Sequence, residues 1–298
     1  MNIQDILYFI EHNPKLIQKK QISDDLYLLK YSRKVFYDSL WTPELEYCRG
    51  MILDSNNQIV QLPFTKIYNY QENNTVIDPD HNVLYVDKIN GFMAAVTYHN
   101  DDILVSTTGS TDSEFVTMAK EKLPLDMMRD HLKANPTLSF CFEIVHENDP
   151  HIIPERPGVY LIGGRKKEIG SKQIPQYNLD HIAKYWNVLR PTYGFKPFSQ
   201  VLEQSKTYTR EGFVVYDTIS ETVLKLKTPY YLINKFLART KKFDLIFGTN
   251  HKTRYDEEFY PLLEYLNNTY TKESFEQLSE QERLTVFREF FDNDICYQ

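Results

Sequence analysis

The chain has 298 residues, 42% of them hydrophobic and 25% charged, which is the make-up of an ordinary soluble globular protein rather than a disordered or fibrous one. No apolar run approaches the roughly 20 residues a membrane span needs, and Met1-Asn2-Ile3-Gln4-Asp5 lacks the basic-then-apolar order of a signal peptide, so a cytoplasmic protein with no membrane partner is expected. Net charge is −7, yet eleven acids against three bases beyond residue 255 leave the first 255 residues at +1; this excludes a broad cationic surface but allows local basic patches at Arg165-Lys166-Lys167 and Arg239-Thr240-Lys241-Lys242.

Ile3, Ile6, Leu7, Phe9 and Ile10 recur at helical spacing and predict a first helix over 3–18. Asp25–Tyr31 alternates as a strand does. Glu46–Asp54 and Gln61–Tyr70 read as strands in which a cation, Arg49 or Lys66, sits among apolar and aromatic neighbours. Two apolar runs then flank Lys88-Ile89-Asn90-Gly91, and Asn-Gly in that setting reads as a β-hairpin turn. Ile103–Thr107 is a further strand. Thr111-Asp112-Ser113-Glu114 can cap a helix running through Lys122. A second helix near 125–133 leads into the strand Leu138–Val145.

Val159–Gly164 is another short strand, Asn178 opens a helix to about Leu189, and 198–202 sits in a shorter helix. Glu211–Tyr216 and Thr222–Lys227 follow as strands. Beyond Pro229 strand signals vanish, and 231–247, 257–267 and 280–291 read as helices. The order predicts an α+β fold of two domains, 1–228 mixed and 229–298 all-helical. Cys48, Cys141 and Cys296 are odd in number and far apart, which predicts reduced thiols and no zinc site.

Several charged residues stand inside these apolar strands. A desolvated Lys88 amine can lose its proton and act as a nucleophile, and Gly91 lets the backbone approach a neighbour closely; the competing reading is the plain hairpin. Glu143, among Phe140, Cys141, Phe142, Ile144 and Val145, needs a cation, metal or hydroxyl to offset its burial, or belongs to a structural Glu–Arg pair. Lys225 and Lys227 share a strand face about 6–7 Å apart, as they would to hold a polyanion or on a solvent-facing edge. Glu211-Gly212 is either a metal-ligand site or an ordinary turn acid, and Arg49 an anion contact or a core ion pair. Jointly, a lysine, several cations and two carboxylates suit chemistry at a nucleoside triphosphate.

The ordered series Arg49-Gly50, Lys66 with Asn69, Lys88-x-Asn90-Gly91, Phe142-Glu143-Ile144-Val145, Glu211-Gly212-Phe213-Val214-Val215 and Lys225-Leu226-Lys227 resembles the motifs of covalent nucleotidyltransferases, the ligase and capping-enzyme superfamily. Cys48-Arg49-Gly50, Pro63–Asn69, Asp149-Pro150-His151-Ile152 and Tyr160–Arg165 resemble the phage-type RNA ligase 1 family within it, and also the adenylyltransferase domain of fungal tRNA ligases. The resemblance covers about residues 25–228. It implies a ligase-type domain of antiparallel sheets flanked by helices. It also implies that Lys88 attacks the α-phosphorus of ATP and carries AMP, that Lys225 and Lys227 bind the α-phosphate, and that Glu143 contacts the ribose or orders the lysine. Glu211 would help hold Mg²⁺ (or Mn²⁺), Arg49 and Lys66 would contact the triphosphate or an RNA 5′-phosphate, Asn90 and Gly91 would line the nucleotide site, and Tyr31 stands near an ATP-contacting tyrosine.

The implied partner is RNA with 5′-phosphate and 3′-hydroxyl ends, cleaved tRNA among the candidates, with a separate kinase and phosphatase to heal the ends. Two departures stand out. The motif is usually Lys-x-Asp-Gly where this chain has Asn90, and Thr107-Thr108-Gly109-Ser110 lacks a basic residue that some relatives carry. Alternatives are an acceptor other than RNA, such as DNA, and an RNA-end-binding protein without chemistry.

Overall fold

A computed structural model describes residues 1–149, 151, 153–239, 243, 246–247, 255 and 257–292. The chain folds into two units, Met1–Lys66 with Ile89–Pro191 and Ile67–Lys88 with Thr192–Gln298, and passes between them after Lys66, Lys88 and Pro191. The boundary drawn near residue 228 falls inside the second unit, between a strand and a helix.

The first unit holds two four-stranded antiparallel sheets. One has the order β1 (Ile17–Gln21), β2 (Leu26–Tyr31), β3 (Arg49–Asp54), β4 (Ile59–Gln61). Helix α1 (Ile3–His12) starts at a capping box, in which Asn2 Oδ1 accepts the N–H groups of Gln4 and Asp5 and Asp5 returns a bond to the Asn2 N–H. It stops well short of residue 18 because Pro14 disfavours the helical conformation at Asn13, and Ile17 enters β1 instead. Its Ile6 is buried with Leu29, Met51 and Leu53 of the sheet, beside α2 (Arg33–Tyr37) and α3 (Pro43–Tyr47).

The expected strand 46–54 therefore begins only at Arg49. Thr42 Oγ1 accepts the Leu45 N–H and Pro43 opens the helical turn that takes in Glu46 and Tyr47. The expected strand 61–70 is likewise cut to β4 and β5 (Tyr68–Asn69), because Pro63 has no N–H to give a ladder.

The other sheet of this unit has the order β10 (Gly158–Lys166), β9 (Leu138–Val145), β7 (Phe92–His99), β8 (Asp102–Ser106). Phe140, Phe142 and Ile144 pack with residues of α4 (Glu114–Lys122), α5 (Leu125–Ala134) and α6 (Gln176–Tyr185), and Trp186 meets Phe140 edge-on at 4.8 Å. Each such buried side chain contributes about 1.5–3 kcal/mol. Alternation leaves Cys141 and Glu143 on the opposite face of β9. Helix α4 starts where expected, but Ser113 makes no side-chain capping bond. Helix α6 ends before residue 189, since Asn187 takes a left-handed φ of 52° just past its end.

The second unit is built on one five-stranded sheet, ordered β11 (Tyr193–Pro197), β6 (Asn82–Asp87), β12 (Gly212–Tyr216), β13 (Val223–Lys227), β5. All its pairs are antiparallel except β13 with β5. Val83, Phe213, Val215, Leu224 and Leu226 pack against Phe198 and Val201 of α7 (Phe198–Thr207). Beyond β13 the described elements are all helical: α8 (Pro229–Arg239), a 3₁₀ turn at Glu257–Phe259, α9 (Tyr260–Thr269), α10 (Lys272–Gln277) and α11 (Glu280–Asp292). Buried Phe236, Phe259, Phe275, Phe287 and Phe290 form their core. Residues 240–242, the C-terminal part of one expected basic cluster, Pro150, Ile152 and Cys296 lie outside the described residues.

The α+β architecture with a helical C-terminal region is as expected. The hairpin is not. Strand β6 pairs with β11 and β12, whereas β7 pairs with β8 and β9. Lys88-Ile89-Asn90-Gly91 is thus the segment by which the chain leaves one sheet for another.

Candidate active site

In the second unit, Lys88 follows directly on β6. Its N–H donates to the Gly212 carbonyl at 2.9 Å, which holds the residue beside the start of β12. Its ammonium lies 2.9 Å from Glu211 Oε1, and the Glu211 side chain is only 4% exposed. Gly212 is required here: its φ is +137°, and a Cβ would sit 2.0 Å from the Leu226 carbonyl oxygen. That close approach seats Gly212 opposite Lys227, one residue from Glu211. Lys225 and Lys227 are half-buried on one face of β13, with Leu224 and Leu226 buried on the other. One sheet therefore gathers Lys88, Glu211, Lys225 and Lys227.

Immediately behind this group lies one that the sequence did not disclose. Asp87 accepts a hydrogen bond from Thr192 Oγ1 at 2.5 Å and pairs with Arg210 at 3.3 Å. Burial pushes the Tyr208 hydroxyl up to about 12, and the Asp87 carboxylate adds to the rise. Helix α8 brings a third lysine close to the pair: the ammoniums of Lys227 and Lys235 stand 5.5 and 5.6 Å from the Tyr231 ring. Lys235 is buried; in the sequence it is one of several tail cations, and only the helix places it here.

In the first unit, Gly91 donates its N–H to Glu143 Oε1 at 3.1 Å. A Cβ at Gly91 would lie 2.3 Å from the Ile144 carbonyl oxygen, so the glycine serves a close approach to strand β9. Asn90 is buried, and its side-chain Nδ2 has no hydrogen-bond partner. Lys66, also buried, holds its ammonium 4.6 Å from the Trp41 ring and 6.0 Å from that of Phe36, while Tyr31 meets Trp41 edge-on at 4.7 Å. Arg49 opens β3. Burial pushes the Cys141 thiol up to about 12, Arg49 and Arg165 pull against it and Glu143 adds to it, so all three charges act on this one thiol. Cys141 and Cys48, pushed up to about 12 chiefly by burial, are free and inert.

The donor set fits a nucleotide. A buried amide N–H without an acceptor is costly unless a bound group supplies one, and phosphate and ribose oxygens are acceptors. Among the described residues no three His, Cys, Asp or Glu side chains come together to hold a metal. Glu211 would help hold a divalent ion together with phosphate oxygens and water, the habit of Mg²⁺.

Sequence reasoning missed Trp41 and Phe36, which surround Lys66, as well as Asp87, Arg210 and Thr192. The only signal for the ion pair was its place: Asp87 precedes Lys88 and Arg210 precedes Glu211.

A model of RNA ligases of the T4 ligase 1 type matches residues 47–231, more than half of the chain. A protein of Autographa californica nuclear polyhedrosis virus, named for both polynucleotide kinase and RNA ligase, is 24% identical over 304 positions, covering 86% of this chain and 41% of its own. The chain thus spans less than half the length of that relative. Among solved structures, an archaeal ATP-dependent RNA ligase matches 99% of this chain and 78% of its own, at a TM-score of 0.62 and 15% identity. An Aquifex aeolicus protein named as an ATP-dependent DNA ligase matches 97% and 77%, at 0.56 and 13%. At such identities these two show the fold, that of ligase nucleotidyltransferases. With the motifs in order on that fold and the family model matched, the chain belongs to the T4-type RNA ligase 1 family.

Proposed function

We propose that this chain is an ATP-dependent RNA ligase that joins 5′-phosphate to 3′-hydroxyl ends through a lysyl-AMP intermediate on Lys88. The observation that carries the reading is the Lys88–Glu211 pair at 2.9 Å, at strand ends of the sheet that bears Lys225 and Lys227. In the state described, the carboxylate holds the amine. A lysine so paired is a poor nucleophile; Glu211 would help hold a divalent ion, which would take the counter-charge from the amine, and the neighbouring Lys225 and Lys227 would favour loss of the Lys88 proton to solvent. Lys88 Nζ then bonds to the α-phosphorus as the bond to pyrophosphate breaks. An RNA 5′-phosphate oxygen next takes the adenylate, freeing Lys88, and a 3′-hydroxyl displaces AMP to seal the strand. Lys225 and Lys227 neutralise the α-phosphate throughout. A bound divalent ion would supply further neutralisation of the phosphates.

By the family resemblance, Glu143 would accept from the ribose hydroxyls, Asn90 would donate to phosphate oxygens, Tyr31 would contact ATP, and Arg49 and Lys66 would contact the triphosphate or the RNA 5′-phosphate. Gly91 would act through the bond that fixes Glu143. Residues 229–298 would form a helical module that docks broken RNA. We take cleaved tRNA as the leading substrate and a cytoplasmic repair role with separate end-healing enzymes; among the described residues no helix is long and apolar enough to cross a membrane. The test is sealing of matched nicked RNA and nicked DNA in the presence of ATP and Mg²⁺. Sealing of RNA supports the reading, sealing of DNA alone moves the activity to another acceptor, and a chain that binds ends but seals neither overturns it.

A further inference from the structure

A cavity of about 810 Å³ opens in the first unit, among α5, α6 and the loop that follows β10. None of its lining residues belongs to the nucleotide set above. Its size lies within the usual range for small-molecule sites, about 300–1,000 Å³. The structure divides the basic run Arg165-Lys166-Lys167 in a telling way. Arg165 is buried and binds Ser171 through Nε and Nη2, at 3.1 and 2.7 Å. Lys167 donates to the Tyr98 carbonyl at 3.1 Å, and burial holds its ammonium down to about 8. Only Lys166 is exposed, and it lines the cavity.

The wall is built rather than loose. Ser171 Oγ donates to the Lys166 carbonyl at 2.8 Å, and the Gly170 N–H donates to the Tyr47 hydroxyl at 3.0 Å. Lys172 stands on the same wall. His131 of α5 and His181 of α6 also line the cavity. Asn178, His181 and Ile182 are followed at helical spacing by Tyr185, so one stripe of α6 runs from the cavity to an exposed aromatic ring. Tyr185 is 61% exposed and meets the His131 ring edge-on at 5.9 Å. The cavity thus joins two lysines and two imidazoles to an open aromatic face, with one carboxylate, Glu168, able to accept from a base amino group or a 2′-hydroxyl.

Cations near an exposed aromatic ring are what single-stranded nucleic acid uses: phosphates on the cations, a base on the ring. We infer that this cavity is a second RNA-contact site, which takes a nucleotide of a single-stranded stretch, its phosphate between Lys166 and Lys172 and its base against Tyr185 and His131. The inference rests on RNA being the substrate.

The test uses the full chain and a single-stranded 5′-phosphorylated RNA, with binding measured over a range of salt and labelling by ATP measured in parallel. Tyr185→Ala should weaken RNA binding roughly tenfold, as loss of a stacked ring does. Lys166→Glu should weaken it comparably and lower the salt slope by about 0.7 for each phosphate the chain no longer neutralises. Lys133→Glu, an exposed lysine of the same helix as His131 but outside the cavity, should leave both unchanged. All three variants should take label from ATP at the wild-type rate. Unchanged RNA affinity in Tyr185→Ala and Lys166→Glu overturns the site, as does an equal loss in Lys133→Glu, which would mean general charge attraction. A wild-type chain that takes no label counts against the proposed chemistry alone, because binding is read separately.

Discussion

Asp87 and Arg210 form an ion pair at 3.3 Å between the residue before Lys88 and the residue before Glu211. The pair ties together the two backbone segments that present the amine and its carboxylate. Thr192 Oγ1 completes the tie from the neighbouring chain segment at 2.5 Å. Asp87→Asn keeps the shape but removes the charge that Arg210 meets. Self-adenylation should slow by roughly tenfold, since small displacements of a reacting group are costly. Arg210→Met should do the same. Rates of label uptake check this; wild-type rates in both variants would leave the pair with a structural role only.

Asn90 offers a sharper separation of stability from function. Its buried Nδ2 has no partner, a state that costs about 1–3 kcal/mol. Asn90→Ala should leave the melting temperature unchanged or raised, while the apparent KM for ATP rises by roughly tenfold, one good hydrogen bond to a charged group. A fall in melting temperature with unchanged KM would make the residue structural.

Gly91→Ala is expected to fail on both counts. The added methyl would lie 2.3 Å from the Ile144 carbonyl oxygen and 3.2 Å from Glu143 Cγ, so strand β9 must shift and the Gly91–Glu143 bond with it. Overpacking of this kind costs about 1–3 kcal/mol. Thermal denaturation should show a lower midpoint, and labelling should fall with it.

Stability should also depend on pH through His81 and Asp217, which pair at 2.8 Å. Burial pushes the Asp217 carboxyl up, but bonds from Ser220, His81 and the Ile219 and Ser220 N–H groups outweigh it and bring it down to about 2. The stabilisation is therefore full above the unfolded value of about 4 and lost as pH falls toward 2. The hydrogen bond to Asp217 raises the His81 imidazolium above its ordinary value. Its contribution is full below about 6.5 and fades as pH rises through the folded value. Urea midpoints across pH should show both slopes, and Asp217→Asn should flatten them.

Much of this was legible in the sequence, and the reasons differ by residue. Lys225 and Lys227 could be read because period-two alternation fixes their shared face once Leu224 and Leu226 are buried. Glu143 stood out as a lone carboxylate in an apolar strand. The hairpin misreading arose because Asn-Gly between apolar runs looks the same whether the runs pair with each other or with strands elsewhere. Only the distant partners β9 and β12 decide that. Asp87 and Arg210 were hidden for the same reason: 123 positions separate them, and no local periodicity reports a contact at that range. Trp41 beside Lys66 was hidden in the same way, since β3 and β4 lie between the two in the chain and no local periodicity reports their contact.

The most direct measurement is the intact mass of the protein after incubation with ATP and Mg²⁺, followed by peptide mapping. One adenylate per chain is expected, carried on Lys88, absent from Lys88→Ala and released on addition of RNA bearing a 5′-phosphate. No adduct on the wild type under Mg²⁺ or Mn²⁺, or an adduct that persists in Lys88→Ala, would contradict the proposed chemistry.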